Sequence, residues 1–355
     1  MVRVMGVFAV CALFFMGFGV LASPAIIPAP PELAAEGYLL IDATTAASLV
    51  EFNADQRLPP ASLTKIMTSY VAAKEIERGT ITLDDQVAVS IKAWRMEGSR
   101  MFIQEGTKVR LEDMLRGIIV QSGNDASVAL AEHVSGSEDA FSDLMNQYAQ
   151  QLGMKDTHFV NATGLPDENH YTTASDLSRL TVALINQFPE HYKIYSEKHF
   201  TYSDIKQPNR NKLLMRDSSV DGVKTGHTNA AGYCLIASAV RDDMRLISVV
   251  MGASSEESRA AESQKLLTYG FRYFETAHLY RADEALRQVR VWGGQHSTVK
   301  LGLTADVVMT IPKGVRERLE AGIQVKNEIH APIEKGDELG SLTVSVPGKE
   351  DISVP

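Results

Sequence analysis

A chain of 355 residues, 45% of them hydrophobic, is long enough for two cored domains or for one large domain with an appendage. Its formal charge of −9 argues against nucleic acid as a partner. Its two cysteines, Cys11 and Cys234, exclude a disulfide-built scaffold.

Taken in order, the chain opens with Met1-Val2-Arg3 and an apolar run to Leu21, then small residues at Ala22-Ser23. This reads as a secretory leader over residues 1–23, with Val20-x-Ala22 suited to cleavage. The run is also long enough to span a membrane. The small residues and the Pro/Ala linker directly behind it favour removal. Loss of Arg3 and Cys11 takes the charge from −9 to −10 and leaves Cys234 without a partner. The protein is therefore expected to be exported, with a fold that does not depend on oxidation.

Residues 38–42 read as a buried strand and 48–52 as its hairpin partner. Pro60 lacks an N–H and keeps Pro59 out of the helical region, so Pro59-Pro60 ends that unit. A helix then opens around Ser62 and runs through Lys65, Ile66, Met67, Tyr70 and Val71 toward Gly79, apolar enough to be buried. Residues 81–110 are mixed, with an alternating piece at 86–90 and a loop at 97–100. A helix over 111–120 puts Leu111, Met114, Leu115, Ile118 and Ile119 on one face. Gly123 breaks it, and Asn124 or Asp125 is placed to cap the next helix, 126–133. An amphipathic helix follows over 141–152, then a polar loop over 161–171 and a helix over 172–186 that Asp176 would cap. Residues 207–211 are turn-like. Strands are expected at 220–228, 233–240 and 245–252, the last two joined tightly at Asp242-Asp243, followed by a helix over 259–274. Beyond about Leu279, short strands at 289–292, 299–301, 307–312, 324–325 and 342–346 read as a small all-β unit. It carries no cluster of His, Cys or carboxylates at ligand spacing, so no metal or organic cofactor is implied.

Ser62-x-x-Lys65 puts an amine and a hydroxyl on one helix face. Burial lowers a lysine pKa, so the amine can take the serine proton. The helix N-terminus favours negative charge developing near Ser62. The pattern alone is weak: it recurs at Ser203-Asp204-Ile205-Lys206 in a polar stretch and at Ser297-Thr298-Val299-Lys300 in an alternating one. Only Ser62 opens an apolar helix. Ser122-Gly123-Asn124 and Lys224-Thr225-Gly226 each occur once and follow in order. A surface loop is the ordinary reading of either motif by itself. Together the three supply a nucleophile (Ser62), its base (Lys65), a proton relay toward a leaving nitrogen (Ser122) and an amide to hold the substrate or the Lys65 amine (Asn124). Lys224 and Thr225 offer a cation and a hydroxyl to an anionic substrate end. Gly226 admits close approach of substrate backbone. The N–H groups of Ser62 and His227 suit an oxyanion hole.

This trio occurs in penicillin-binding proteins and serine β-lactamases. Over nearly the whole mature chain the sequence resembles the low-molecular-mass penicillin-binding proteins, the serine D-alanyl-D-alanine carboxypeptidases of peptidase family S11. The resemblance extends to Gly222-Val223 before the third motif, His227-Thr228 after it, Ala231-Gly232-Tyr233, Asn209-Arg210-Asn211, His158-Phe159, Gly164-Leu165 and Met244-Arg245-Leu246-Ile247-Ser248. It implies an α+β fold: a β-lactamase/transpeptidase-like domain over 24–284, with an antiparallel sheet flanked by helices, then a small all-β domain over 285–355. It implies acyl transfer through Ser62, with peptidoglycan stem peptide as substrate, D-alanine as leaving group and β-lactams as covalent inhibitors. It adds Arg259 and Arg210 to the substrate-binding set, although a helix-face charge is the ordinary reading of Arg259. It places the protein in the periplasm, up to the outer face of the inner membrane, with the β domain meeting a membrane surface or a cell-wall protein.

Three other readings share these residues. A serine β-lactamase needs a positioned deacylating base, and Glu168, in the corresponding loop, has the wrong neighbours; His227 also favours the carboxypeptidase branch. A D,D-endopeptidase often lacks the second domain. A silent peptidoglycan-binding protein is disfavoured by the intact trio. One departure from the family concerns the end of the chain. Many members finish in an amphipathic membrane helix, whereas this sequence stops at Ser353-Val354-Pro355, which leaves membrane attachment open.

Overall fold

The computed structural model describes residues 27–346 and 351–355. The expected leader lies outside the described residues. The first half of the described chain gives β1 (Gly37–Asp42), β2 (Ser48–Phe52), α1 (Thr64–Glu77), β3 (Gln86–Ala88), α2 (Ile91–Trp94), β4 (Lys108–Arg110), α3 (Leu111–Arg116), α4 (Asn124–Ser135), α5 (Glu138–Gln151) and α6 (Ala174–Gln187). Then come α7 (Pro189–Tyr192), β5 (His199–Tyr202), β6 (Ile205–Pro208), α8 (Leu213–Arg216), β7 (Val220–Thr228), β8 (Gly232–Arg241), β9 (Met244–Ala253) and α9 (Glu256–Tyr273).

The organising element is a five-stranded sheet in the order β2-β1-β9-β8-β7, antiparallel throughout. Both faces of its centre are covered, which explains why β1 is an unbroken apolar run rather than an alternation. Successive side chains point to opposite faces. Leu39 and Ile41 join the large core with Ile66, Leu130 and Leu177, while Leu40 joins a second core with Leu266 and Leu267 of α9. Through the large core passes α1, which is buried nearly all round. A helix apolar on every side belongs inside a protein, and here it carries Lys65 inside with it.

Three local expectations are corrected. The first concerns the caps of α4. Its N-cap is Gly123, with no side-chain cap, and Asn124 and Asp125 lie inside the first turn because both side chains are used elsewhere. The Asp125 carboxylate accepts from Met101 N and Phe102 N at 2.8 Å each, Ile103 N at 3.3 Å and Ala126 N at 2.9 Å. The second concerns α6, which is capped by Thr173, whose hydroxyl accepts from Asp176 N at 3.0 Å. The Asp176 carboxylate instead holds the preceding turn through Asp156 N and Thr157 Oγ1. The third is that the helix over 111–120 does not stay α-helical: after α3 it widens into a π-helical turn, Gly117–Gln121.

The chain then forms β10 (Phe274–Tyr280), β11 (Arg287–Arg290), β12 (Thr298–Leu301), β13 (Val307–Pro312), β14 (Glu320–Val325), β15 (Gly340–Ser345) and β16 (Ile352–Val354). Pairings are β10 with β13, β11 with β12, and β14-β15-β16. Ala277, Val307, Met309, Ile311, Leu342 and Val344 share a separate core. The sequence reading missed β10, which leaves α9 with no turn residue between them. Its pairing puts it with the C-terminal strands, ahead of the expected boundary at 284/285. The two parts meet at the fully buried Asp42, whose Oδ2 accepts from Thr276 Oγ1 at 2.6 Å and Thr310 Oγ1 at 2.7 Å.

Candidate active site

Pro60 delivers the chain into a single 3-10 turn, Ala61–Leu63, and α1 begins at Thr64. Ser62 faces a cleft of about 400 Å³. Lys65, only 1% exposed, stands one turn further in. Its Nζ lies 3.1 Å from Ser62 Oγ, 2.7 Å from Asn124 Oδ1 and 2.6 Å from Thr163 O. Burial, helped by the charge of Arg210, brings its pKa from 10.5 down to about 7, against the opposing pull of Asp125 and Glu138. The acceptor set gives this shift a use. A neutral amine has two N–H groups and one lone pair. Two carbonyl oxygens take the N–H groups, and the lone pair is left for the Ser62 proton.

The Thr163 carbonyl is aimed by its own loop. Asn161 Oδ1 accepts from Gly164 N at 2.7 Å, Thr163 Oγ1 at 3.0 Å and Thr163 N at 3.1 Å. Gly164 follows at φ +83°, packed so tightly on the nucleophile turn that a Cβ would sit 1.8 Å from Ala61 O. Gly164→Ala is expected to lower stability by about 3 kcal/mol and to slow acylation of Ser62 as well. Thermal unfolding and acylation rates check this; an unchanged melting temperature would contradict the packing described.

On the other side of the amine, the π-helical turn ends at Ser122, held left-handed at φ 67°. That conformation is strained for a residue with a Cβ. Lys224 Nζ donates to Ser122 Oγ at 2.9 Å and to Thr225 O at 3.0 Å. Ser122 is thus bonded to Lys224 rather than directly to Lys65. Burial, with the neighbouring charges of Lys65, Arg210 and Arg259, holds the Lys224 pKa well below the usual lysine range. An arriving carboxylate would relieve that crowding of cations.

Asn124 ties the floor to a wall: Nδ2 donates to Glu97 O at 2.6 Å and the backbone N–H to Ser99 O at 2.7 Å. Gly226 brings β7 against the nucleophile turn, where a Cβ would lie 3.0 Å from Pro60 O and 3.3 Å from Leu63 N. His227 lines the cleft and stacks on Tyr233, with ring centroids 4.0 Å apart. Arg210 also lines it, and its Nε donates to Gln121 O at 3.0 Å. Arg259 is engaged with protein groups: Nη1 donates to Gly226 O at 3.0 Å, Nη2 lies 3.4 Å from Glu256, and the guanidinium sits over Tyr233. It therefore braces β7. Thr225 is buried. Asp176 is bonded to Asp156 N and Thr157 rather than to these groups, and Glu168 is exposed.

Sequence reasoning missed Asn161, Thr163 and Asp125. Thr163 acts through its carbonyl, which no residue type announces; the adjoining Gly164 was the available signal. A larger cavity, about 610 Å³, lies among the C-terminal strands, and none of the residues around Ser62 lines it.

Residues 25–255 match the model of the family described as D-alanyl-D-alanine carboxypeptidase, peptidase S11. The chain belongs to this family. Residues 274–355 match a second model, described as the C-terminal domain of penicillin-binding protein 5. The D-alanyl-D-alanine carboxypeptidase DacA of Haemophilus influenzae is 45% identical over 327 residues, covering 90% of this chain and 83% of the relative. DacA of Escherichia coli K12 is 44% identical over 332 residues, covering 91% and 82%. The crystal structure of penicillin-binding protein 5 from H. influenzae superposes with a TM-score of 0.86, covering 92% of this chain and 97% of that one. The S11 model thus covers the catalytic fold, and the second model covers the strands that follow it.

Proposed function

We propose that this S11 family member removes the terminal D-alanine from peptidoglycan stem pentapeptides through an acyl-enzyme on Ser62. The observation that carries the reading is the Lys65 amine, buried, drawn down to about 7 and bonded to Ser62 and to two carbonyl oxygens. Lys65 takes the Ser62 proton as Oγ attacks the penultimate D-alanine carbonyl. The N–H groups of Ser62 and His227 receive the charge on the carbonyl oxygen. The C–N bond breaks, and the leaving amine takes, by way of Ser122, the proton that Lys65 gained, which leaves Lys65 neutral again. Water, deprotonated by Lys65, then cleaves the ester and frees Ser62. Lys224, Thr225 and Arg210 hold the free carboxylate of the leaving D-alanine. Arg259 fixes the strand that presents them.

A β-lactam presents a strained amide and a carboxylate to the same groups. A relative from Listeria monocytogenes, 30% identical, has been solved in its ampicillin-bound form. The Glu168 side chain is exposed and hydrogen-bonded to none of these groups, which supports a peptidase over a β-lactamase. We place the protein in the periplasm, with the C-terminal strands meeting a membrane surface or a cell-wall protein. The exposed Trp292, with Arg290 3.7 Å above its ring, supports such a contact. Peptide mapping after incubation with penicillin tests the nucleophile. The adduct is expected on the peptide bearing Ser62. An adduct on Ser122 instead, or none, would refute the assignment.

A further inference from the structure

The segment 97–103 joins α2 to β4, and Asn124 ties it to the cleft floor through Glu97 O and Ser99 O. Gly98 and Ser99 line the cleft together with Ser62. Just beyond them the buried Asp125 carboxylate gathers the N–H groups of Met101, Phe102 and Ile103. This clamp keeps Phe102 left-handed, at φ 70°, and leaves it 45% exposed. A bulky side chain avoids that backbone region, and an apolar ring avoids water. The ring has a partner in the Arg100 guanidinium, 5.3 Å from its centroid. Arg100 is exposed, and among the described residues it forms no ion pair.

We propose that Arg100, seated on Phe102, binds a carboxylate in the acyl-donor half of the peptide, upstream of the scissile bond. The inference rests on the carboxypeptidase reading and adds a substrate preference to it. Lys224 and Arg210, which serve the leaving end, enter from β7 and from the stretch after β6. Arg100 is not itself part of the cleft lining but directly follows Ser99, which is, on the segment that Asn124 ties to the floor, so it is positioned for a group of the peptide that extends beyond the cleft. General attraction cannot do this work: the chain carries a net charge of −9, and Glu97 flanks the same segment. A cation held in place against a ring selects an anion that a mixed surface would not.

The test compares kcat/KM for D-alanine release from two peptides ending in D-Ala-D-Ala. One carries a free carboxylate upstream; in the other that group is amidated. The native chain is expected to prefer the free carboxylate, and added salt to shrink the preference. Arg100→Glu is expected to lower the ratio of the two values about tenfold. A ratio left unchanged by Arg100→Glu, whether or not both rates fall, overturns the proposal. If the native chain releases D-alanine from neither peptide, the carboxypeptidase reading itself fails, and this proposal fails with it.

Discussion

Replacing Ser62 with alanine is expected to abolish D-alanine release and penicillin labelling together, while the protein stays folded. The Ser62 side chain contributes one hydrogen bond, to Lys65, and sits in a short turn that alanine can adopt. The stability cost is therefore within about 1 kcal/mol. The catalytic cost is of another order, a drop of about 10⁴-fold or more in turnover, because no other group can form the ester. Intact-mass measurement after penicillin treatment, paired with a thermal melt, separates the two effects. An adduct on the Ser62→Ala protein would rule out Ser62 as the nucleophile.

Lys65 carries the second large effect. With a pKa near 7, the amine is mostly neutral above that pH and mostly ammonium below it. Only the neutral form can accept the serine proton. Acylation should therefore rise with pH through an inflection near 7 and fall about tenfold for each pH unit below it. Lys65→Met removes the lone pair and is expected to slow acylation by about 10²–10⁴-fold and to erase that inflection. Asn124 Oδ1 and Thr163 O would lose a donor, so a melt must accompany the kinetics. Acylation by a chromogenic cephalosporin across the pH range reads both results. A native profile flat through pH 7 would show that this amine is not the base.

Most of the sheet was legible because its strands are long apolar runs bounded by turn residues, as at Asp242-Asp243. The burial of Lys65 was legible too, since it sits in the apolar first half of the helix, whereas Lys74 falls in the last turn beside Glu75 and Glu77. Asn124 and Asp125 were misread as caps. Their residue types suit capping, but tertiary partners claim both side chains: Lys65 and Glu97 O for one, the 101–103 backbone for the other. Ser122 was identified by its motif, yet its bond to Lys224 depends on a π-helical turn that the pattern of Ile118 and Ile119 does not encode. Arg259 has a bracing role on β7 that the resemblance did not announce. Its guanidinium meets Gly226 O and Glu256 before any substrate. The Thr163 carbonyl was invisible for a simpler reason: every residue has one, and only the Asn161–Gly164 loop makes this one a ligand of the lysine.

The most direct measurement is D-alanine release by the purified protein from a pentapeptide ending in D-Ala-D-Ala, with and without penicillin. Release that stops when penicillin is added is the expected result, and it would establish both the reaction and the shared site. Undiminished release in the presence of penicillin, or penicillin labelling without any release of D-alanine, would contradict a carboxypeptidase working through Ser62.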